Sequence, residues 1–133
     1  MAKRTLSLTV AAWDAIADAA EAGHISVSQA TTALLGAYAQ GHIPPPAEPA
    51  AYTERGSGQQ RSGRGMHIPD TVWDSAVAKA GLVVDPNTGR TKPGKHARYR
   101  SMSALVEALG QALASGEITL AAASAQPAPR RAD

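Results

Sequence analysis

Basic side chains are concentrated in two short stretches of the chain. Lys3 and Arg4 lie near the start, and a segment between Pro86 and Arg100 holds five basic residues and no acidic one. The five are Arg90, Lys92, Lys95, Arg98 and Arg100. Side chains of this kind neutralise phosphates, and each neutralised phosphate adds about −0.9 to the salt slope of binding. Since the net charge is only +2, the local distribution, rather than the sum, favours a polyanionic partner. The alternative for the segment 86–100 is a basic loop exposed to solvent without a partner.

Polar side chains alternate with apolar ones in two short segments, which predicts two strands. In the first, Leu6 and Leu8 face inward, and in the second Met66 and Ile68 do so. The outward residues are Lys3, Thr5, Ser7, Gly65 and His67. Lysine, serine, threonine and histidine can hydrogen-bond to base edges, and a solvated sheet face is the alternative interpretation. Arg4 and Arg64 are expected near the strand starts, within reach of phosphates.

Serines open two further segments that have helical periodicity. Ser26 or Ser28, and Ser101 or Ser103, can accept hydrogen bonds from free N–H groups of a first helical turn. The positive end of a helix dipole also suits a phosphate, so the same serines are candidate phosphate ligands. As an alternative, they are helix caps and nothing more.

Other kinds of chemistry have no support in the sequence. The chain has no cysteine, and its four histidines are scattered without a metal-binding spacing. We find no nucleophile–base arrangement, phosphate-binding loop or paired carboxylates. We therefore expect no metal, no cofactor and no enzymatic activity.

An internal repeat organises these residues. Displacing the chain by 75 positions places Ser26–Ile43 on Ser101–Ile118, with eight identities that include both opening serines. Displacing it by 60 places Thr5–Ile16 on Gly65–Ala76, so that Trp13-Asp14 coincides with Trp73-Asp74. The difference between the two displacements is an insertion in the second copy. Each copy is predicted to be a strand followed by two helices.

The repeat divides the chain into segments. Residues 1–43 form the first unit, and 44–62 form a flexible linker rich in Pro, Gly, Ser and Gln. The second unit spans 63–120 and carries the basic insertion 82–100, while 121–133 are expected to be a disordered tail. Within the insertion, Val83-Val84 and Arg98-Tyr99-Arg100 are predicted as two short strands.

Neither unit alone is large enough for a self-sufficient core. We expect the two strands to pair with each other over four helices, which gives a mainly α fold with a short two-stranded antiparallel ribbon. The linker also permits pairing between two chains, as a swapped dimer.

In this order of elements, Thr5–Val10, Met66–Asp70 and Ser26–Gln29 resemble the ribbon-helix-helix superfamily. The resemblance implies a tandem single-chain pseudo-dimer that places its antiparallel ribbon in the DNA major groove, similar to the relaxosome accessory proteins of conjugative plasmids. It implies base reading by Lys3, Thr5, Ser7, Gly65 and His67. The glycines at 63 and 65 depart from the family pattern, which has polar or basic residues there.

The functional expectation is a sequence-specific double-stranded DNA-binding protein that acts as a transcriptional repressor or in plasmid maintenance or transfer. Because one ribbon covers only a few base pairs, the alternative to a single bound protein is a homo-oligomer on DNA. The alternative is a protein-interaction module, such as an antitoxin-like partner binder. No stretch approaches the roughly 18 apolar residues of a membrane span, so we expect a cytoplasmic, nucleoid-associated protein.

Overall fold

A computed structural model of the chain describes residues 2–46, 61–88 and 91–120. It is mainly helical, with two small antiparallel sheets. The elements in chain order are β1 Ala2–Thr9, α1 Val10–Ala22, α2 Val27–Gln40, β2 Arg61–Ile68, α3 Asp70–Ala80, β3 Leu82–Val84, β4 Thr91–Pro93 and α4 Met102–Ser115. The expected order of strand, helix and helix therefore occurs twice. Both strands of the first sheet are longer than expected, and β2 begins within the segment expected to be linker.

The first sheet, here called the ribbon, is formed by β1 and β2 of the same chain. They run antiparallel with Thr5 opposite Gly65 and Lys3 opposite His67. Leu6, Leu8, Met66 and Ile68 are buried beneath the ribbon, as the alternation predicts. The helices cover this face, so that the core lies between the ribbon and the four helices of the described residues.

Helices from different copies of the repeat pack against each other. α1 packs mainly on α4, and α3 packs mainly on α2. At the first of these crossings, a Cβ added to Gly110 would lie 2.8 Å from the Cβ of Ala12 and 2.9 Å from its carbonyl oxygen. Only glycine permits this approach. The two copies are therefore interlocked through both their strands and their helices.

Glycines end all four of these helices. Gly23 follows α1, Gly81 follows α3, and Gly41 and Gly116 follow α2 and α4. Gly41, Gly81 and Gly116 adopt positive φ angles of 77°, 79° and 84°. A left-handed residue at this position turns the chain away from the helix axis while its N–H reaches a free carbonyl of the last turn.

The insertion contains a small hairpin, but its second strand is not the expected one. β3 pairs with Thr91–Pro93, whereas Arg98–Arg100 form bends. The Arg98 N–H donates to the Ala80 carbonyl over 2.8 Å, which returns the chain to the end of α3. Tyr99 is buried and packs edge-on against Tyr38 with ring centroids 6.0 Å apart. Its burial in the core, rather than a place in a strand edge, explains why the strand prediction for 98–100 was wrong.

Three predicted segments lie wholly or partly outside the described residues. They are most of the linker, at 47–60, the tail at 121–133, and Arg90 of the insertion. At the near end of the linker, the Tyr99 hydroxyl donates to the Pro46 carbonyl. No helix among the described residues is long and apolar enough to cross a membrane.

Candidate nucleic-acid interface

The side of the ribbon that faces away from the helices, here called the outer face, is formed by three cross-strand pairs. Lys3 lies opposite His67, Thr5 opposite Gly65, and Ser7 opposite Gly63. All are exposed except Ser7, which is half-buried. The five residues predicted to read bases therefore share one surface. Because the strand period is two, the alternation that buries Leu6 and Leu8 turns these residues outward.

Lys3 lies across the middle of the outer face. A Cβ added to Gly65 would be 2.5 Å from the Cε of Lys3 and 3.4 Å from its Nζ. The absence of a side chain at 65 therefore leaves the space that the lysine stem occupies. This contact gives Gly65 a role that its type alone did not indicate, since it positions a cationic donor near the centre of the ribbon.

Serine hydroxyls join the two long edges of the ribbon to the second helix of each copy. The Ser7 N–H donates to Ser103 Oγ over 2.9 Å, and the His67 N–H donates to Ser28 Oγ over 3.0 Å. The repeat relates these two bonds, because Ser7 corresponds to His67 and Ser103 to Ser28. Each serine satisfies an outward N–H of an edge strand and fixes the distance between the ribbon and a helix N-terminus. Ser28 and Ser103 are thus structural links as well as candidate phosphate ligands.

The other two serines cap the same helices. Ser26 Oγ accepts from the Gln29 N–H over 3.0 Å, and Gln29 Oε1 accepts in return from the Ser26 N–H over 2.9 Å. Ser101 Oγ accepts from the Ala104 N–H over 3.1 Å. Caps of this kind hold the first turn in place while N–H groups before the third position remain directed outward.

A cleft lies beside each of these helix N-termini. One, of about 670 Å³, is lined by residues of α2 and β2 that include Ser26, Ser28 and His67. The other, of about 560 Å³, is lined by Thr5, Thr91, Ser101 and Ser103 among others. The linings of the two clefts correspond through their serine pairs, Ser26/Ser28 and Ser101/Ser103. The α4 cleft combines a helix N-terminus with hydroxyl groups, which is an arrangement suited to an anion, whereas the α2 cleft is lined mainly by apolar surface.

Two basic residues of the insertion lie next to the N-terminus of α4, namely Lys92, which follows Thr91, and Arg100, which precedes Ser101. Thr91 of β4 lines the cleft beside Ser101, which brings the second hairpin next to the N-terminus of α4. The described basic residues of the insertion are all exposed, namely Lys92, Lys95, Arg98 and Arg100. The corresponding connection of the first copy, Gly23–Ser26, carries neither lysine nor arginine. Positive charge therefore flanks one edge of the ribbon much more than the other.

The arginines predicted to reach phosphates are directed toward the protein instead. The Arg4 guanidinium lies 4.6 Å from the centre of the Trp73 ring, and that of Arg64 lies 4.5 Å from the centre of Trp13. Arg4 also forms an ion pair with Asp70, with Nη2 and Oδ1 3.1 Å apart. The alternation of the strands, which places residues 4 and 64 on the inward side, could have revealed this packing.

Arg64 has no equivalent acidic partner among the described residues. The position that corresponds to Asp70 in the first copy is Val10, whose side chain is 54% exposed. Among the described residues, Arg64 is held over Trp13 by the attraction of a cation to an aromatic face, without an ion pair. Of the two arginines, it therefore keeps the greater capacity for an external anion.

A buried carboxylate that sequence reasoning missed supports the β1 edge. Glu107 is fully buried and accepts from the Thr9 N–H over 2.9 Å and from the Thr9 hydroxyl over 2.7 Å. Gln111 Nε2 donates to it over 2.7 Å. Three hydrogen bonds compensate for the desolvation of the carboxylate. The only signal in the sequence was a lone glutamate among the apolar residues of α4.

The described residues contain no group of three or more histidine, aspartate or glutamate side chains that could hold a metal ion. Comparisons of the chain with protein-family models, with curated proteins and with solved structures found no match.

Proposed function

We propose that this protein is a tandem ribbon-helix-helix protein that binds double-stranded DNA sequence-specifically and has no catalytic role. In this proposal the ribbon enters the major groove, which at about 12 Å is wide enough for two strands. The outer face contacts base edges, and the N-termini of α2 and α4 contact phosphates on the two sides of the groove. Its role in the cell would be that of a transcriptional repressor or a plasmid maintenance or transfer factor.

One observation carries the proposal. An exposed polar face on a two-stranded ribbon is flanked at both edges by capped helix N-termini, and each is linked to the ribbon by a serine hydroxyl. This supports the proposal, because the polar groups of the outer face and the helix N-termini are held at a fixed spacing, as contacts to bases and to phosphates would require. Phosphate contacts position a protein on DNA, and contacts to base edges provide specificity.

The test is a selection of binding sites from random duplex DNA, followed by titration of the enriched sequence at several salt concentrations. We expect an enriched sequence and a steep salt dependence, to which each phosphate contact contributes about −0.9. The triple variant Lys3→Ala/Thr5→Ala/Ser7→Ala is expected to lose the preference for the enriched sequence.

A matched control exists on α3. The variant Thr71→Ala/Ser75→Ala/Lys79→Ala removes the same three residue types from exposed positions away from the outer face, and it should bind as the unmodified protein does. Absence of any enriched sequence, or equal loss in both triple variants, would contradict the proposal.

The second candidate is a protein-interaction module. It is favoured by three exposed valines, Val10, Val83 and Val84, which are 54%, 44% and 51% exposed. The same selection separates the candidates, because an interaction module has no reason to enrich a DNA sequence.

A further inference from the structure

The outer face is built around an approximate two-fold axis. The repeat relates Lys3 to position 63, Thr5 to 65 and Ser7 to 67, and the register pairs Thr5 with Gly65. The axis therefore passes through the Thr5–Gly65 pair and exchanges the Lys3–His67 pair with the Ser7–Gly63 pair. The serine links at Ser28 and Ser103 follow the same symmetry.

The residues themselves break this symmetry. One end of the outer face, the basic end, carries Lys3 and His67, and the Lys3 side chain extends from there over Gly65 at the axis. The other, the small end, carries Ser7 and Gly63. A lysine donates to the O6 and N7 acceptors of guanine, and a histidine adds a second hydrogen-bonding group. A serine hydroxyl accepts or donates to any of several bases, and a glycine has no side chain to read with. Only the basic end is therefore equipped to discriminate strongly between base pairs.

The charge of the surroundings differs in the opposite direction, because basic residues of the insertion lie beside the small end. The link from Ser7 to Ser103 places the small end beside α4, next to the exposed Lys92 and Arg100 of the insertion. The link from His67 to Ser28 places the basic end beside α2, where the preceding connection carries neither lysine nor arginine. Side chains suited to bases are thus gathered at one end, and those suited to phosphates lie beside the other.

We infer that the DNA site is not palindromic and that the protein binds it in one orientation. Base discrimination is concentrated at the centre of the site, under the Lys3 ammonium group, and in the half under His67. The half under Ser7 and Gly63 is held chiefly through its backbone. This inference rests on the proposed function and specifies the kind of duplex that the outer face recognises.

The test is to make the two ends alike. In the variant Ser7→His/Gly63→Lys both ends carry a lysine and a histidine. Gly63 is exposed, and the nearest atom to a Cβ there is Thr5 Cγ2 at 3.4 Å, so the added side chain has room. The Ser7 N–H that bonds Ser103 is retained in histidine. Ser7→Ala/Gly63→Ser is the matched control, since it changes the same positions without adding basic groups.

For the unmodified protein and the control, we expect site selection to enrich a sequence without two-fold symmetry. Single base-pair changes in its strongly enriched half should lower affinity by roughly 5- to 150-fold, and those in the other half by much less. The Ser7→His/Gly63→Lys variant should enrich a palindrome that repeats the strongly enriched half.

Each outcome has a definite meaning. A palindrome enriched by the unmodified protein would overturn the directional inference and leave the proposed function intact. The same holds if a variant shown by its circular dichroism to be folded keeps the original asymmetric sequence. Failure of the unmodified protein to enrich any sequence would overturn the proposed function and, with it, this inference.

Discussion

Where each ribbon strand joins the next helix, the two copies of the repeat differ in whether a backbone N–H is present and in what accepts a hydrogen bond from it. In the first, the outward N–H and the hydroxyl of Thr9 bond to buried Glu107. In the second, the corresponding residue is Pro69, which has no N–H, and the position that corresponds to Glu107 is Thr32. Thr32 turns its hydroxyl to the Ser28 carbonyl within its own helix.

The difference between the copies indicates that the two positions are coupled through the donors of Thr9, its backbone N–H and its hydroxyl, both of which proline lacks. A buried N–H requires an acceptor, and the carboxylate is present where the donor is present. Where proline removes the donor, the charged partner is absent too. At this position the copies therefore differ in a pair of residues, whereas the Ser28 and Ser103 links are the same in each.

The largest expected effect is from removing the carboxylate. Glu107→Ala leaves the buried Thr9 N–H without its acceptor, and we expect the free energy of unfolding to fall by about 3 kcal/mol or more. At the corresponding position, Thr32→Ala should change it by less than about 1 kcal/mol. Urea denaturation of both variants measures the difference, and equal losses would contradict the coupling.

A double-mutant cycle sharpens the same test. The φ angle of Thr9 is −71°, which proline can adopt. Thr9→Pro therefore gives the first copy the residue that the second copy has at the corresponding position. The substitution should cost less in the Glu107→Ala background than in the unmodified protein, with a coupling energy of about 1–2 kcal/mol. Additive costs would show that the N–H and the carboxylate act independently.

A smaller effect is expected at the close crossing of α1 and α4. Gly110→Ala forces a Cβ against the Ala12 backbone, and we expect a loss of about 1–3 kcal/mol from overpacking. Gly36→Ala, inside α2, is the control, because nothing lies within 4 Å of an added Cβ. It should stabilise the protein by about 0.5–1 kcal/mol through helix propensity. Thermal unfolding measures whether each variant is more or less stable than the unmodified protein. A more stable Gly110→Ala variant would refute the close crossing.

The smallest expected effect concerns the two inward arginines and rests on DNA binding. Val10→Asp would give Arg64 the partner that Asp70 gives Arg4, and should make the salt slope of DNA binding shallower by about 0.9. Asp70→Val should make it steeper by a similar amount. Asp74→Val, an exposed change of the same charge on α3, is the control. If it shifts the slope as much as Asp70→Val does, general charge and not the arginine is responsible.

The features that the sequence predicted well are those with local patterns. Alternation located the inward pairs Leu6/Leu8 and Met66/Ile68, and glycines marked the helix ends. The internal repeat led to the pairing of β1 with β2, because neither copy could form a core alone. The outward residues of the ribbon followed from the same alternation.

The features that the sequence did not predict depend on contacts between distant residues. Arg4 and Arg64 stack on tryptophans from opposite copies, and Glu107 bonds a strand 98 residues away. Arg98-Tyr99-Arg100 has the composition of a strand, but the core contact of Tyr99 with Tyr38 overrides it. Local propensity carries no information on which remote partner a side chain meets.

The interlocking of the two copies has a consequence for synthesis. β1 emerges from the ribosome first, yet the bond from Ser7 to Ser103 joins residues 96 positions apart. At a synthesis rate of about 5–20 residues per second, the first copy waits on the order of 5–20 s for its partners. During that time α4, which covers more of β1 than α1 does, is not yet available. Any exchange of β2 between neighbouring nascent chains would have to occur in this interval, so slower translation would favour it.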